Sequence, residues 1–149
     1  MDTAFLGAEL RAKDPDRFLL SLFMPRPRRA AIQALFLLRY EISRTRDMVT
    51  DTNLGLIRLQ WWRDEIARIY DGRGCGEIPI LSTLAPAIRA QDIPQDWFNT
   101  LIYAHEFDLE DVAPETVEGL WKYADFTATP VTQIAMKILG ETADPAQIQ

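Results

Sequence analysis

The sequence predicts an all-α protein built as one helical domain. Apolar residues recur at three- and four-residue spacing in successive segments, which is the period of an amphipathic helix. No segment shows the strict alternation that is typical of a strand, and Pro, Gly and Asp residues separate the helical segments. A length of 149 residues is enough for one domain with a sizeable core.

Local signals place each helix along the chain. The signals are side chains that cap helix N-termini, proline in a first turn and glycine after a last turn. They predict seven helices, near residues 3–12, 17–23, 28–49, 54–71, 80–90, 95–110 and 115–139. Pro86 is expected only in the first turn of its helix, because proline lacks the N–H that a helix interior needs. Gly140 is expected to end the last helix.

The bulk composition excludes several classes of protein. A net charge of −6 argues against a nucleic-acid binder, since neutralising phosphates requires a basic surface. The single cysteine, Cys75, excludes an internal disulfide and a multi-cysteine zinc site. No apolar run approaches the roughly 18 residues that cross a bilayer, and the first residues lack the features of a signal peptide. We therefore expect a cytoplasmic protein, with peripheral contact to a membrane left open.

The predicted helix over residues 28–49 carries the first candidate site. Arg39, Ser43, Arg46 and Asp47 fall on one side of it at helical spacing, directly beside a mostly apolar stripe. Charged side chains held against a buried face cost stability, so they suggest a function. Two interpretations remain open: a ligand-binding surface, or a set of ion pairs in which neighbouring arginines neutralise Asp47.

Two further patterns have the residue types of a metal site, and ordinary structural roles are favoured for both. His105 precedes Glu106 and Asp108, but these side chains spread over a wide arc of the helix, so a structural or solvated histidine is expected. Asp47 and Asp51 are one helical turn apart, a spacing that could hold one Mg²⁺ through two oxygens. Asp51 lies at a helix end, however, where it is expected to cap the helix or face solvent.

The order of several segments resembles the squalene/phytoene synthase family, whose members are head-to-head prenyl synthases with the all-α isoprenoid synthase fold. The segments are FLLSLFMPRPRRAAIQALFLL, a charged turn, LGLIRLQWWRDEIARIY and LWKYADFTATPVTQIAMKILG. The resemblance spans about residues 8–141. DPDRF (14–18), GLIRLQWWRDEI (55–66) and YADFTATPV (123–131) are most similar to a divergent branch that includes a mitochondrial complex I assembly factor.

The resemblance implies an aspartate-rich motif, DDxxD, whose carboxylates hold Mg²⁺ and, through it, the diphosphate of the substrate. An ungapped alignment places this motif on residues 43–47, where Asp47 is the single acid. A frame shifted by four residues uses Asp47 and Asp51 and keeps two acids, but it needs compensating gaps. In the preferred frame no magnesium cofactor is expected. The arginines there would contact an anion directly, because a guanidinium group suits phosphate and carboxylate.

The resemblance also indicates which residues contact a ligand. Arg17 lies where the family's enzymes touch the diphosphate, and Thr129 and Thr132 replace glycines of the last helix. We therefore assign ligand contact to six positions: Arg17, Arg39, Tyr40, Ser43, Arg46 and Asp47. Asp47 and Asp51 are the metal ligands to consider if the chain is an active enzyme.

The resemblance leads to three hypotheses about function. The favoured one is a catalytically degenerate family member that binds a hydrophobic or prenyl-diphosphate-like molecule, or a membrane-associated protein, and takes part in complex I assembly. The alternative is an active Mg²⁺-dependent prenyltransferase acting on prenyl diphosphates. The third is a bundle that only mediates protein contacts.

The resemblance also bears on the extent of the domain. The family's second aspartate-rich motif belongs to a helix beyond Gly140, so residues 1–149 are expected to be one C-terminally incomplete domain. Because missing helices would leave an apolar face open, self-association into a homo-oligomer is a further expectation.

Overall fold

A computed structural model describes residues 3–110 and 113–140. Within these ranges the chain forms eight α-helices and no β-strand, so the predicted all-α fold is confirmed. The helices are α1 (Ala4–Lys13), α2 (Pro15–Leu22), α3 (Arg26–Ser43), α4 (Thr45–Met48), α5 (Thr52–Tyr70), α6 (Pro79–Ala90), α7 (Gln95–Leu109) and α8 (Val117–Leu139). No helix in the described ranges is long and apolar enough to cross a membrane.

α3 is the central helix of the bundle, since it contacts α1, α2, α6, α7 and α8. Every residue from Ile32 to Leu38 is buried, because all but one of the side chains in this segment are apolar. The predicted apolar stripe is confirmed at Leu35, Leu38 and Ile42, which have no solvent exposure. α7 also contacts α5 and α8. The side chains of these helices and those around α3 form one hydrophobic core.

The single long helix predicted over residues 28–49 is wrong, because the chain interrupts it after Ser43. α3 ends there, and Thr45–Met48 form the separate helix α4. The Ser43 hydroxyl and the Arg44 N–H both donate to the carbonyl oxygen of Tyr40, each at 3.0 Å, so this acceptor is shared at the helix end. Residues after Ser43 therefore do not continue the face of α3.

The position of Pro86 was also predicted wrongly. α6 begins at Pro79, so Pro86 lies in the interior of the helix and not in its first turn. Its ring is on the exposed side, where water can reach a backbone group left without its N–H partner. The remaining helices lie within two residues of their predicted bounds. Gly140 ends α8 in the left-handed conformation (φ +83°), as predicted.

Candidate functional site

A cavity of about 560 Å³ lies between α2, α3, α7 and α8. This volume is in the range of small-molecule binding sites, about 300–1,000 Å³. The polar side chains in its wall include Arg17, Arg39, Ser43, His105, Asp108, Tyr123 and Thr127. The apolar ones include Leu20, Met24, Phe36, Val131, Ala135, Met136 and Leu139.

The charged side chains and most of the polar side chains of the wall are concentrated at one end of the cavity, although Thr132 lies among the apolar residues of α8. On α3 the apolar Phe36 precedes Arg39 and Ser43, whereas on α8 the polar Tyr123 precedes the apolar residues of the wall. The charge of Arg39 acts on Tyr123, so the polar ends of the two helices lie together. The cavity therefore has a polar end and an apolar end, which is the shape of a site for an amphipathic molecule.

His105, Asp108 and Tyr123 form a hydrogen-bonded group at the polar end. His105 and Asp108 are one turn apart on α7, and His105 Nδ1 lies 2.8 Å from Asp108 Oδ2. The Tyr123 hydroxyl, from α8, donates to Asp108 Oδ1 at 2.8 Å. One oxygen of this carboxylate thus contacts His105 within α7, and the other connects α7 to α8.

The surroundings of this group set its protonation. Burial lowers the pKa of His105, and the hydrogen bond to Asp108 opposes that shift only in part. Burial and the hydrogen bond to Asp108 raise the pKa of Tyr123 to about 12. At neutral pH the imidazole is therefore neutral and the phenol keeps its proton, so neither group brings a charge to the cavity.

Two arginines supply positive charge at the same end. Arg17 Nη1 lies 2.9 Å from Asp14 Oδ2, whereas Arg39 Nη1 lies 3.9 Å from the same oxygen. Burial, followed by the nearby charge of Arg17, lowers the pKa of Arg39. One carboxylate thus faces two guanidinium groups, and Arg39 donates no hydrogen bond to any side chain or backbone group in the described ranges. Its donors are free for an anionic group of a ligand.

The structure separates the six residues to which ligand contact was assigned. Arg17, Arg39 and Ser43 are in the cavity wall, whereas Tyr40, Arg46 and Asp47 are not among the residues that line it. That any of them binds a ligand stays a prediction. The break after Ser43 explains part of this difference, because the predicted stripe assumed an uninterrupted helix.

The three residues outside the wall have other surroundings. The ring of Tyr40 lies beneath the charged groups of Lys13 and Arg44, 5.8 and 5.5 Å from its centroid. Arg46 and Asp47 are exposed on α4. The charge of Arg46 nevertheless reaches Tyr123 and acts against the rise in its pKa.

The carboxylates present do not fit a magnesium site. Asp47 is exposed and is the single acid at residues 43–47. The Asp51 carboxylate accepts a hydrogen bond from the backbone N–H of Asn53 at 2.8 Å, so it caps α5. Capping was one of the two roles predicted for Asp51. Within residues 3–110 and 113–140, no three His, Cys, Asp or Glu side chains are grouped in a way that could hold a metal ion.

The ion-pair network of this region centres on Glu41, which the sequence did not single out. Glu41 is buried and its carboxylate contacts Lys13 Nζ (2.9 Å), Arg58 Nη2 (3.1 Å) and Arg44 Nε (3.4 Å). One of the two interpretations left open from the sequence was that neighbouring arginines neutralise Asp47, but Arg44, one of these neighbours, pairs with Glu41. The network joins α1, α3 and α5, which gives it a structural role.

Sequence reasoning also missed three residues of the site. Asp14 was considered only as part of the DPDRF segment, Asp108 only beside His105 in a metal pattern that was not favoured, and Tyr123 only as part of the YADFTATPV segment. The one available signal was that His105 and Asp108 share a side of α7. Their partner Tyr123 comes from another helix, and no local pattern predicts that contact.

Comparisons with known proteins agree with the resemblance. A model of the squalene/phytoene synthase family matches residues 10–149. A Bos taurus protein named NADH dehydrogenase (ubiquinone) complex I, assembly factor 6, is 28% identical over 131 residues, 88% of this chain. The Homo sapiens protein of that name is 27% identical over the same share, and a Dictyostelium discoideum homolog is 24% identical over 93%.

The relatives are longer than this chain, which spans 39% of the length of each of these three. No solved structure matches the chain significantly.

Proposed function

Because the chain belongs to the squalene/phytoene synthase family, we propose that it is a member that has lost the family's paired magnesium-binding acids. In this proposal it binds an amphipathic molecule, with an anionic head and an apolar tail of the prenyl or lipid type, directly in the cavity. It acts in the assembly of respiratory complex I, the process for which its relatives are named.

The observation that carries the ligand proposal is the charge distribution in the cavity. The Asp108 carboxylate is already held by His105 and Tyr123. Arg39, in contrast, faces Asp14 at 3.9 Å without donating a hydrogen bond to it, so the donors of Arg39 can contact a ligand head group. The apolar end, with Met24, Phe36 and the second half of α8, offers a surface for a hydrocarbon chain. A diphosphate or phosphate head and a prenyl or acyl tail fit this arrangement.

The same charges argue against the alternative, an active prenyltransferase. In the family's enzymes Mg²⁺ helps the diphosphate leave, and that requires several carboxylates around the metal. Here Asp47 is exposed, Asp51 caps a helix, and Asp108 is held by His105 and Tyr123. Direct contact with arginine binds the head group without supplying the metal chemistry.

The role in assembly rests on the relatives. The match to the Bos taurus assembly factor covers 88% of this chain, so it includes most of the described helices. We propose a protein subunit of complex I, or another protein of its assembly pathway, as the partner.

Calorimetric titration with geranylgeranyl diphosphate tests the ligand proposal. We expect equal affinity in Mg²⁺ and in EDTA, because no metal takes part in binding. Arg39→Ala should weaken binding about 10- to 100-fold, the effect of losing a hydrogen bond to a charged group. Arg73→Ala, in an exposed loop, is the matched control and should leave the affinity unchanged. Release of diphosphate in Mg²⁺ at a rate typical of an enzyme would overturn the proposal in favour of the prenyltransferase.

Deletion of the gene in its own host tests the role in assembly. We expect less assembled complex I on native gels, and restoration by the wild-type gene. A gene carrying Arg39→Ala should restore assembly poorly if ligand binding is required. Normal amounts of complex I in the deletion strain would overturn the assembly role while leaving the ligand proposal intact.

A further inference from the structure

α2 presents large apolar side chains to solvent. The exposed fractions of Leu19, Leu22 and Phe23 are 57%, 44% and 87%. Ser21, on the opposite side of the helix, is completely buried, and its hydroxyl accepts a hydrogen bond from Gln33 Nε2 of α3 at 3.0 Å. This arrangement reverses the usual orientation of an amphipathic helix, which places its apolar side chains against the core. An exposed face of this kind marks a surface for an apolar partner.

Basic side chains border this apolar face. Arg26 and Arg28 lie in the first turn of α3, directly after α2, and neither makes an ion pair within the described part of the chain. A positive charge there is unfavourable for the helix, because the N-terminus is the positive end of the helix dipole. Arg29 is different, since its Nη2 donates to the carbonyl oxygens of Leu22 (2.9 Å) and Met24 (3.1 Å). Arg29 thus stabilises the junction of α2 and α3 through hydrogen bonds, whereas the charges of Arg26 and Arg28 contribute no such contact in the described residues.

We propose that Leu19, Leu22, Phe23, Arg26 and Arg28 form a docking surface for an anionic lipid bilayer. The acyl chains cover the three apolar side chains, and lipid phosphates pair with the two arginines. Charge complementarity identifies the partner, because these arginines make no ion pair within residues 3–110 and 113–140 and stand as local positive charges in a chain whose net charge is −6. Phe23, at the end of α2, is the residue that inserts most deeply. The five residues of the surface do not line the cavity, but the preference for a lipid partner rests in part on the proposed function, in which the cavity holds an apolar tail.

The position of the surface relative to the cavity supports a lipid over a protein partner. Leu20 and Met24, from the same segment, line the cavity. A bilayer docked on α2 would therefore lie beside the apolar end of the cavity, where a hydrocarbon chain could pass between the two. The single exposed acid on α2, Asp16, is at the other end of the helix from Phe23.

Vesicle flotation tests the proposal with the whole chain. The two vesicle types are phosphatidylcholine alone, and equal parts of phosphatidylcholine and phosphatidylglycerol. We expect binding to the anionic vesicles and a decrease with added salt. Phe23→Ser should weaken binding roughly tenfold, and each of Arg26→Gln and Arg28→Gln about fivefold.

Matched controls come from other exposed positions. Trp121→Ser removes a side chain that is 72% exposed on α8, and Arg73→Gln removes a loop charge; both should bind as wild type does. Circular dichroism checks that each variant is folded. Absence of wild-type binding to anionic vesicles, or equal loss in the controls, would overturn the proposal. Binding only to native membrane vesicles, abolished when their proteins are digested, would assign the surface to a protein.

Discussion

Glu41 is the residue on which the charged network of the bundle depends. Its side chain is buried, and it faces Lys13 from α1, Arg58 from α5 and Arg44 just after α3. The hydrogen bond from Lys13 to this carboxylate raises the pKa of the lysine. Removing the carboxylate leaves several partly buried cations without their counter-charge. The resulting loss of stability is larger than the stability that the ion pairs contribute relative to uncharged residues at the same positions.

We expect Glu41→Gln to lower the free energy of unfolding by about 2 kcal/mol. This is below the range for fully buried pairs, because Lys13 and Arg58 keep some contact with water. Urea denaturation measures the change. Glu118→Gln, which breaks an exposed pair with Lys122, is the control and should change stability by less than about 0.5 kcal/mol. Equal changes in the free energy of unfolding for the two substitutions would show that the ion pairs of Glu41 stabilise the fold no more than an exposed pair does.

His105, the only histidine in the chain, makes stability depend on pH. Burial lowers its pKa in the folded protein, so the unfolded chain binds the proton first as the pH falls. Its contribution to stability is complete above the unfolded pKa of about 6.5 and is lost as the pH falls from there through the folded pKa. We expect the free energy of unfolding to be smaller at pH 5.5 than at pH 7.5.

The variant His105→Gln provides the comparison, because Gln retains a donor for Asp108 but does not titrate. Its free energy of unfolding should change less between the two pH values than that of the wild type, in urea denaturation at each pH. A wild-type stability that rises on acidification would contradict the assigned direction of the pKa shift.

Helices were the features that the sequence predicted best, because their signals are local. Gly140 marks the end of α8 through its own backbone preference, and this prediction agrees with the structure. The break after Ser43 was not predicted, since the apolar pattern continues through it and no proline or glycine marks it in the sequence. That single break moved Arg46 and Asp47 away from the cavity.

The contact between α5 and α7 depends on a glycine. A Cβ atom at Gly55 would lie 2.6 Å from Leu109 Cδ2 and 3.1 Å from Val49 Cγ2, so both side chains limit the space. The Thr52 hydroxyl also donates to the Leu109 carbonyl oxygen at 3.2 Å, which holds the two helix ends together. A larger residue must therefore push the buried Leu109 aside or separate the helices.

We expect Gly55→Ala to destabilise the protein by about 1 kcal/mol, because overpacking outweighs the better helix propensity of alanine. In a Leu109→Ala background the same substitution should cost less or become stabilising, since the clash with Leu109 is gone and only the tight contact with Val49 opposes the propensity gain of up to about 1 kcal/mol. Urea denaturation of the four proteins in this double-mutant cycle measures both values. An equal effect of Gly55→Ala in the two backgrounds would exclude the clash with Leu109.

The whole molecule brings together residues that no local pattern connects. The helical spacing on α3 predicted Arg39 and Ser43 at a site, and the resemblance predicted Arg17; all three lie in the cavity wall. The contact between Asp108 and Tyr123 was missed because it depends on how α7 packs against α8. The cavity is a property of the assembled bundle, so a ligand in it should stabilise the bundle as a unit.

We expect geranylgeranyl diphosphate to raise the free energy of unfolding, by about 2.7 kcal/mol at a concentration of one hundred times its Kd. The polar and apolar ends of the cavity predict that both parts of the ligand are required, so geranylgeraniol and inorganic diphosphate should each stabilise far less. Thermal and urea denaturation in EDTA measure the effect, and Arg39→Ala should reduce it. If inorganic diphosphate alone stabilised the protein as much as the whole ligand, binding would reside in surface arginines and the cavity would have no part in it.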